Sequence, residues 1–109
     1  MKIDSHQHFW NYNDKDFDWI PDNLIRRDFL PRDLKPILHE NKIDGCVAVH
    51  ARQSEEETEW LLSLAKESSI IKGVVGWVDL QADNLSERLD YFSDFTLLKG
   101  YRHIIQGEV

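Results

Sequence analysis

Four short strand-like runs recur along the chain, and longer segments with a helical pattern separate them. The runs are residues 2–6, 46–50, 73–79 and 100–105. The later runs are nearly continuous in apolar or β-branched residues and are bounded by glycine. That pattern is typical of strands buried on both faces of a parallel sheet. We therefore predict four strands.

Two of the intervening segments have clear helix signatures. Ser54 and Glu57 form a capping-box pattern, and apolar residues at helical spacing follow, which predicts a helix over 54–69. Asn84 and Glu87 repeat the capping pattern ahead of a second amphipathic stretch, in which the apolar residues are Leu85, Leu89 and Phe92.

The connection between the first two runs is less regular. Pro31 and Pro36 both lie in it, and proline is tolerated only in the first turn of a helix. We expect either a helix that begins near Asp33 or a short 3₁₀ turn leading into one. Ahead of it, residues 9–29 form a long segment that is either a lid or binding edge or packs over the mouth of the fold. Its aromatic residues are Trp10, Tyr12, Phe17 and Trp19.

Strand and helix alternate as in right-handed βαβ units, which leaves two architectures open. Four such strands fit an open doubly wound sheet or half of a (β/α)₈ barrel. In a barrel, the active-site residues project from the carboxyl ends of the strands. Polar residues stand at the end of every predicted strand here, so we favour an α/β fold made of the first four strands of a parallel TIM barrel. Residues 1–109 would be part of that single domain.

Candidate site residues lie at those strand ends. His6 and His8 are two positions apart and share one face of a strand, so their imidazoles can act side by side as metal ligands or proton carriers. The later strands end in His50 and Arg52, in Trp77 and Asp79, and in Arg102, His103 and Gln106.

For some of these residues the sequence allows two interpretations. Arg52 can grip a substrate oxygen with its fork of donors or pair with the acidic cluster 55–57. Arg102 and His103 are adjacent, so they cannot both face the barrel axis in a regular strand. Trp77 is either a pocket residue or part of the core.

Composition excludes several functions. The net charge of −7 argues against a nucleic-acid groove, which needs clustered lysine and arginine. No apolar run is long enough to span a bilayer or form a signal-peptide core, so no membrane partner is expected. Cys46 is the single cysteine and allows no intrachain disulfide. We expect a cytoplasmic protein.

Five stretches of the sequence carry a family resemblance. They are IDSHQHFW at 3–10, RRDFLP at 26–31, GCVAVHARQS at 45–54, GVVGWVDL at 73–80 and GYRHIIQ at 100–106. In this order they resemble the TIM-barrel lactonases of the amidohydrolase superfamily, and within it the L-fuconolactonase and L-rhamnonolactonase-like sugar lactone hydrolases.

The resemblance implies a hydrolase that opens the ester ring of a sugar lactone. His6 and His8 would act at the carbonyl, either by holding one divalent ion, most commonly zinc, or as direct hydrogen-bond donors. Catalytic roles would extend to Arg102 and His103. The substrate-binding residues would be Arg52, His50, Trp77, Asp79 and Gln106.

A complete barrel of this kind needs about 250 residues, more than twice this length. We therefore expect an N-terminal portion that lacks the ligands of later strands, binds metal weakly and has no appreciable activity alone. Two alternatives stay open. One is another metal-dependent hydrolase or decarboxylase of the superfamily, and the other is a non-catalytic half-barrel that associates through its exposed edges, with itself or with a partner.

Overall fold

A computed structural model describes residues 1–11 and 27–106 of the chain. Within these ranges four strands alternate with three helices. In chain order they are β1 (Ile3–Gln7), α1 (Pro31–Glu40), β2 (Gly45–Val49), α2 (Glu55–Glu67), β3 (Ile71–Gly76), α3 (Leu85–Phe92) and β4 (Leu98–Tyr101). The strands form one sheet in the order β1-β2-β3-β4, and each neighbouring pair is parallel. The predicted parallel α/β architecture is confirmed.

The core lies between the central strands and the helices. Cys46, Ala48 and Val74 on β2 and β3 are fully buried. Leu61 of α2 and Phe92 of α3 pack in the same cluster and are almost completely excluded from solvent. Burial of large apolar side chains of this kind contributes about 1.5–3 kcal/mol each, so this layer holds the helices on the sheet.

Two predicted strands are displaced along the sequence. We predicted the third over 73–79 and the fourth over 100–105, whereas β3 is 71–76 and β4 is 98–101. At the end of β3 the reason is backbone pairing: the Trp77 N–H and carbonyl bond to the Thr58 hydroxyl instead of to a neighbouring strand. The polar residues after these strands therefore lie in loops just beyond the sheet.

Helix α1 also departs from expectation, because it begins at Pro31 and contains Pro36. Pro31 occupies the first turn, where its missing N–H costs nothing, and the Asp33 carboxylate accepts from the Leu30 N–H at 2.9 Å. Pro36 cannot bond the Arg32 carbonyl, but both residues are exposed, so water can solvate that group.

The capping predictions are half right. Ser54 accepts from the Glu57 N–H at 3.1 Å and caps α2, which ends at Glu67, two residues short of the predicted end. Asn84 makes no side-chain cap on α3. Its backbone instead lies within a turn in which the Leu85 N–H reaches the Ala82 carbonyl at 3.2 Å.

The predicted lid falls mainly on residues 12–26, which lie outside the described residues, as do Tyr12, Phe17 and Trp19. Trp10 and Phe29, on either side, exchange two backbone hydrogen bonds of 2.9 Å. In the described ranges, no helix is long and apolar enough to cross a membrane.

Candidate active site

The two imidazoles of the opening motif meet at the end of β1. His6 Nε2 and His8 Nε2 are 3.1 Å apart, and the ring planes are nearly perpendicular. The i, i+2 spacing predicts this shared face, and the structure brings the two side chains together there.

A backbone carbonyl orients the second imidazole. His8 Nδ1 lies 2.9 Å from the Val49 carbonyl oxygen at the end of β2. A carbonyl can only accept, so Nδ1 carries the proton and Nε2 presents its lone pair toward His6. Burial lowers the pKa of His8, which favours this neutral form.

Arg102 joins this cluster from the loop after β4. Its Nη2 donates to the His50 carbonyl at 2.9 Å, and its Nη1 lies 3.5 Å from His6 Nε2. The Arg102 N–H continues the sheet by donating to the Gly76 carbonyl at 3.0 Å. Of the adjacent pair at the end of β4, Arg102 is therefore the residue beside the imidazoles.

His50 links the end of β2 to the loop after β4 by a hydrogen-bond contact. It is fully buried, with Nε2 2.8 Å from the Arg102 carbonyl and Nδ1 3.1 Å from the Arg52 carbonyl. Burial lowers the pKa of His50. His50 is therefore not exposed to a ligand in this structure. It affects the site through its contacts with Arg52 and Arg102.

Arg52 forms an ion pair with the acidic cluster 55–57, which was one of the two roles predicted for it. Its Nε lies 3.5 Å from the Glu57 carboxylate, and its side chain is 31% exposed. Glu57 itself is 1% exposed and also accepts from the backbone N–H groups of Ala51 and Arg52, at 2.8 and 3.2 Å. This carboxylate organises the loop after β2.

The other predicted residues are more dispersed. The Trp77 indole donates to His103 Nδ1 at 3.2 Å, so these two form a second group at the end of β3. Asp79 is exposed and accepts from the Gln81 N–H in a local turn. Gln106 is exposed at the edge of the described range. Neither Asp79 nor Gln106 contacts the imidazoles of His6 and His8.

Sequence reasoning missed three residues that hold the strand ends. They are Glu57, Thr58 and Gln53, whose Oε1 accepts from the Ile104 N–H at 2.6 Å. Glu57 was assigned to the cap of α2, which is the usual role at that position. Glu57 and Thr58 both lie in the continuous polar run 54–59, and nothing in that run marks them as buried.

Solved structures show the same fold. Two crystal structures of an amidohydrolase from Burkholderia multivorans, one with bound zinc and one with bound HEPES, match with a TM-score of 0.93. Their sequence identities are 42% and 41%, and the matches cover 100% of this chain but 39% and 38% of theirs. Over its whole length, the chain is similar to part of these amidohydrolases.

Two curated proteins are also similar to this chain. L-Fucono-1,5-lactonases of Burkholderia multivorans and Burkholderia ambifaria are 43% and 36% identical to it over 99% and 97% of its length. The chain spans 37% of the length of each. No protein-family model matches it. With four parallel strands over this share of the relatives, the predicted half of a TIM barrel is confirmed.

The two imidazoles at the end of β1 fit part of a zinc site. Two nitrogens on one tetrahedral zinc, each about 2.0–2.1 Å away, lie roughly 3.3 Å apart. The 3.1 Å between His6 and His8 is close to that separation. The His8 contact to a backbone carbonyl is also the usual support for a ligating histidine. No group of three or more potential ligands occurs among residues 1–11 and 27–106.

The adjoining cavity is small. It measures about 100 Å³ and lies between the end of β1 and α1, lined in part by His8, Arg27 and Phe29. Ligand pockets commonly enclose about 300–1,000 Å³. This cavity is therefore smaller than a typical ligand pocket.

Proposed function

We propose that this chain supplies one side of the active site of a sugar lactonase, a hydrolase that opens an aldonolactone ring to the aldonic acid. The observation that carries the proposal is the convergence of His6, His8 and Arg102 at the carboxyl ends of parallel strands. L-Fucono-1,5-lactone is the first substrate to test, because the matching relatives are named for it. A role in sugar metabolism follows from that substrate class.

Lactone hydrolysis needs a polarised carbonyl, an activated water and donors for the oxyanion that develops. His6 and His8 would hold one divalent cation, with zinc favoured by the two nitrogen donors and by the zinc in a similar amidohydrolase. When bound, such an ion supplies Lewis acidity.

The remaining tasks fall to side chains of this chain. Arg102 places a permanently charged guanidinium 3.5 Å from His6, where it can donate to a substrate oxygen as negative charge develops. The carbonyl of His50 holds that guanidinium in place. Arg52, which is partly exposed beside Glu57, is proposed to bind a hydroxyl of the sugar.

We further propose supporting roles for the second group of residues. His103 would act as a donor at the same mouth, next to Trp77. Asp79 and Gln106 are exposed and would contact the substrate only from its outer side.

The chain alone is proposed to be inactive. Two imidazoles give fewer than the three protein ligands that catalytic zinc sites use. Strands β1 and β4 are each paired on one side within the described sheet, so self-association through these edges is proposed for the isolated chain. A cytoplasmic location remains part of the proposal, as the only cysteine is free and buried.

A chimera tests the function. This chain replaces the matching 37% of the Burkholderia multivorans lactonase, and the product is assayed with L-fucono-1,5-lactone, a second aldonolactone and a carboxylated aromatic acid. We expect ring opening of a lactone. Release of carbon dioxide from the aromatic acid would favour the decarboxylase alternative, and a folded chimera that acts on no lactone would contradict the proposal.

A further inference from the structure

The first turns of α2 place a second buried polar residue against the end of a strand. Thr58 is fully buried, and its hydroxyl donates to the Trp77 carbonyl at 2.9 Å. The same oxygen accepts from the Trp77 N–H at 2.8 Å. One hydroxyl therefore satisfies both backbone groups of the residue that follows β3, where the strand ladder ends.

Close packing fixes this contact. A Cβ added to Gly76 would lie 2.6 Å from Thr58 Cγ2 and 2.8 Å from its hydroxyl oxygen. The start of α2 thus sits directly against the end of β3. Since threonine is stiff at its first side-chain torsion, the hydroxyl has little freedom to leave this position.

The indole of Trp77 reaches the loop that follows β4. Trp77 Nε1 donates to His103 Nδ1 at 3.2 Å, with the ring centroids 6.4 Å apart. A nitrogen that accepts an N–H cannot carry a proton itself. The neutral imidazole of His103 therefore has its proton on Nε2, so Nε2 is the donor of the ring.

We propose that Thr58 and Trp77 are positioning residues that hold His103 as an Nε2–H donor at the mouth of the barrel. Thr58 fixes the backbone of Trp77, and the indole then fixes the orientation and tautomer of the imidazole. The contribution of the His103 Nε2–H donor to lactone hydrolysis rests on the proposed function. The contact and the tautomer do not depend on it.

Two replacements of Thr58 separate hydrogen bonding from packing. Thr58→Val keeps the shape and removes the hydroxyl, whereas Thr58→Ser keeps the hydroxyl and removes a methyl group. Nitrogen-15 NMR of the 109-residue chain would follow the solvent exchange of the Trp77 indole proton and the protonated nitrogen of His103. The Trp60 indole, also on α2, is the internal reference.

We expect Thr58→Ser to resemble the wild type, and Thr58→Val to speed Trp77 indole exchange about tenfold, with mixed His103 tautomers. Unchanged exchange and tautomer in a folded Thr58→Val chain would overturn the proposal. So would loss of the contact in Thr58→Ser but not in Thr58→Val, because that result indicates packing alone.

His103→Ala gives a second test that leaves α2 untouched. Removal of the acceptor should also speed Trp77 indole exchange about tenfold, and unchanged exchange would overturn the proposal. In the lactonase chimera, Thr58→Val should lower kcat more than Thr58→Ser does. A chimera that is inactive without any substitution would contradict the proposed function and leave the NMR result standing.

Discussion

The Glu57 carboxylate contacts both the main chain and the side chain of Arg52. The carboxylate accepts from the Arg52 N–H at 3.2 Å and lies 3.5 Å from its Nε, and Glu57 is 1% exposed. A buried carboxylate is stable only when it is paired and hydrogen-bonded, and these contacts meet that need. The loop that leads from β2 to α2 is thereby tied to the start of the helix.

Replacement of Glu57 by Gln should destabilise the fold by about 1–3 kcal/mol, because the amide cannot accept from all of its donor neighbours and one buried contact is lost. Urea unfolding followed by circular dichroism measures this. The matched control is Glu55→Gln in the same turn, where the ion pair with Arg88 at 2.6 Å is partly exposed. We expect a clearly smaller effect there. Equal effects at the two positions would contradict the assignment of Glu57.

Gly76→Ala should destabilise the chain by about 1–3 kcal/mol through overpacking against Thr58. The added Cβ would lie 2.6 Å from a β-branched side chain on a helix, which cannot easily move away. Gly100→Ala is the control, since a Cβ there meets nothing within 4 Å. Thermal unfolding of both variants checks this, and a Gly76→Ala chain as stable as the Gly100→Ala chain would refute it.

The Cys46 thiol should be unreactive in the folded chain at pH 8. Burial, with a smaller contribution from Asp4, raises the pKa of Cys46 to about 11. The folded state therefore keeps a proton that the unfolded thiol loses near pH 9, so stability falls as the pH rises from about 9 to 11. Thiol labelling with and without urea tests the first statement, and unfolding at pH 8 and pH 10 tests the second. Rapid labelling without urea would contradict both.

Zinc should bind the isolated chain weakly, because the described residues supply two imidazoles and no third ligand with them. Calorimetric titration measures the affinity. His8→Ala should abolish the weak binding, whereas His39→Ala, an exposed histidine of α1, should leave it unchanged. Tight one-to-one binding that survives His8→Ala would show that the metal lies elsewhere.

The contact of His6 with His8 could be predicted because it depends on local geometry alone: residues two apart on a strand share a face. The choice between Arg102 and His103 could not. It depends on where the chain turns after β4, and the Trp77 indole and the His50 carbonyl set that turn from distant parts of the sequence. Similarly, the strand runs could be located, but their ends depended on pairing and on the Thr58 hydroxyl.

The burial of Glu57 and Thr58 could not be predicted for a related reason. At the third and fourth positions of a helix, polar side chains usually serve the cap or face solvent, so their burial cannot be read from the pattern. Only the packing of α2 against the ends of β2 and β3 turns them inward.

The role of the imidazole pair is tested by the effect of His8→Ala on the lactonase chimera. Hydrolysis of L-fucono-1,5-lactone is measured as kcat/KM before and after the substitution, with His39→Ala as the control. We predict a loss of about 100-fold or more for His8→Ala, in the range typical of general acid–base or metal-ligand groups, and no loss for His39→Ala. An active chimera whose kcat/KM is unchanged by His8→Ala would contradict it.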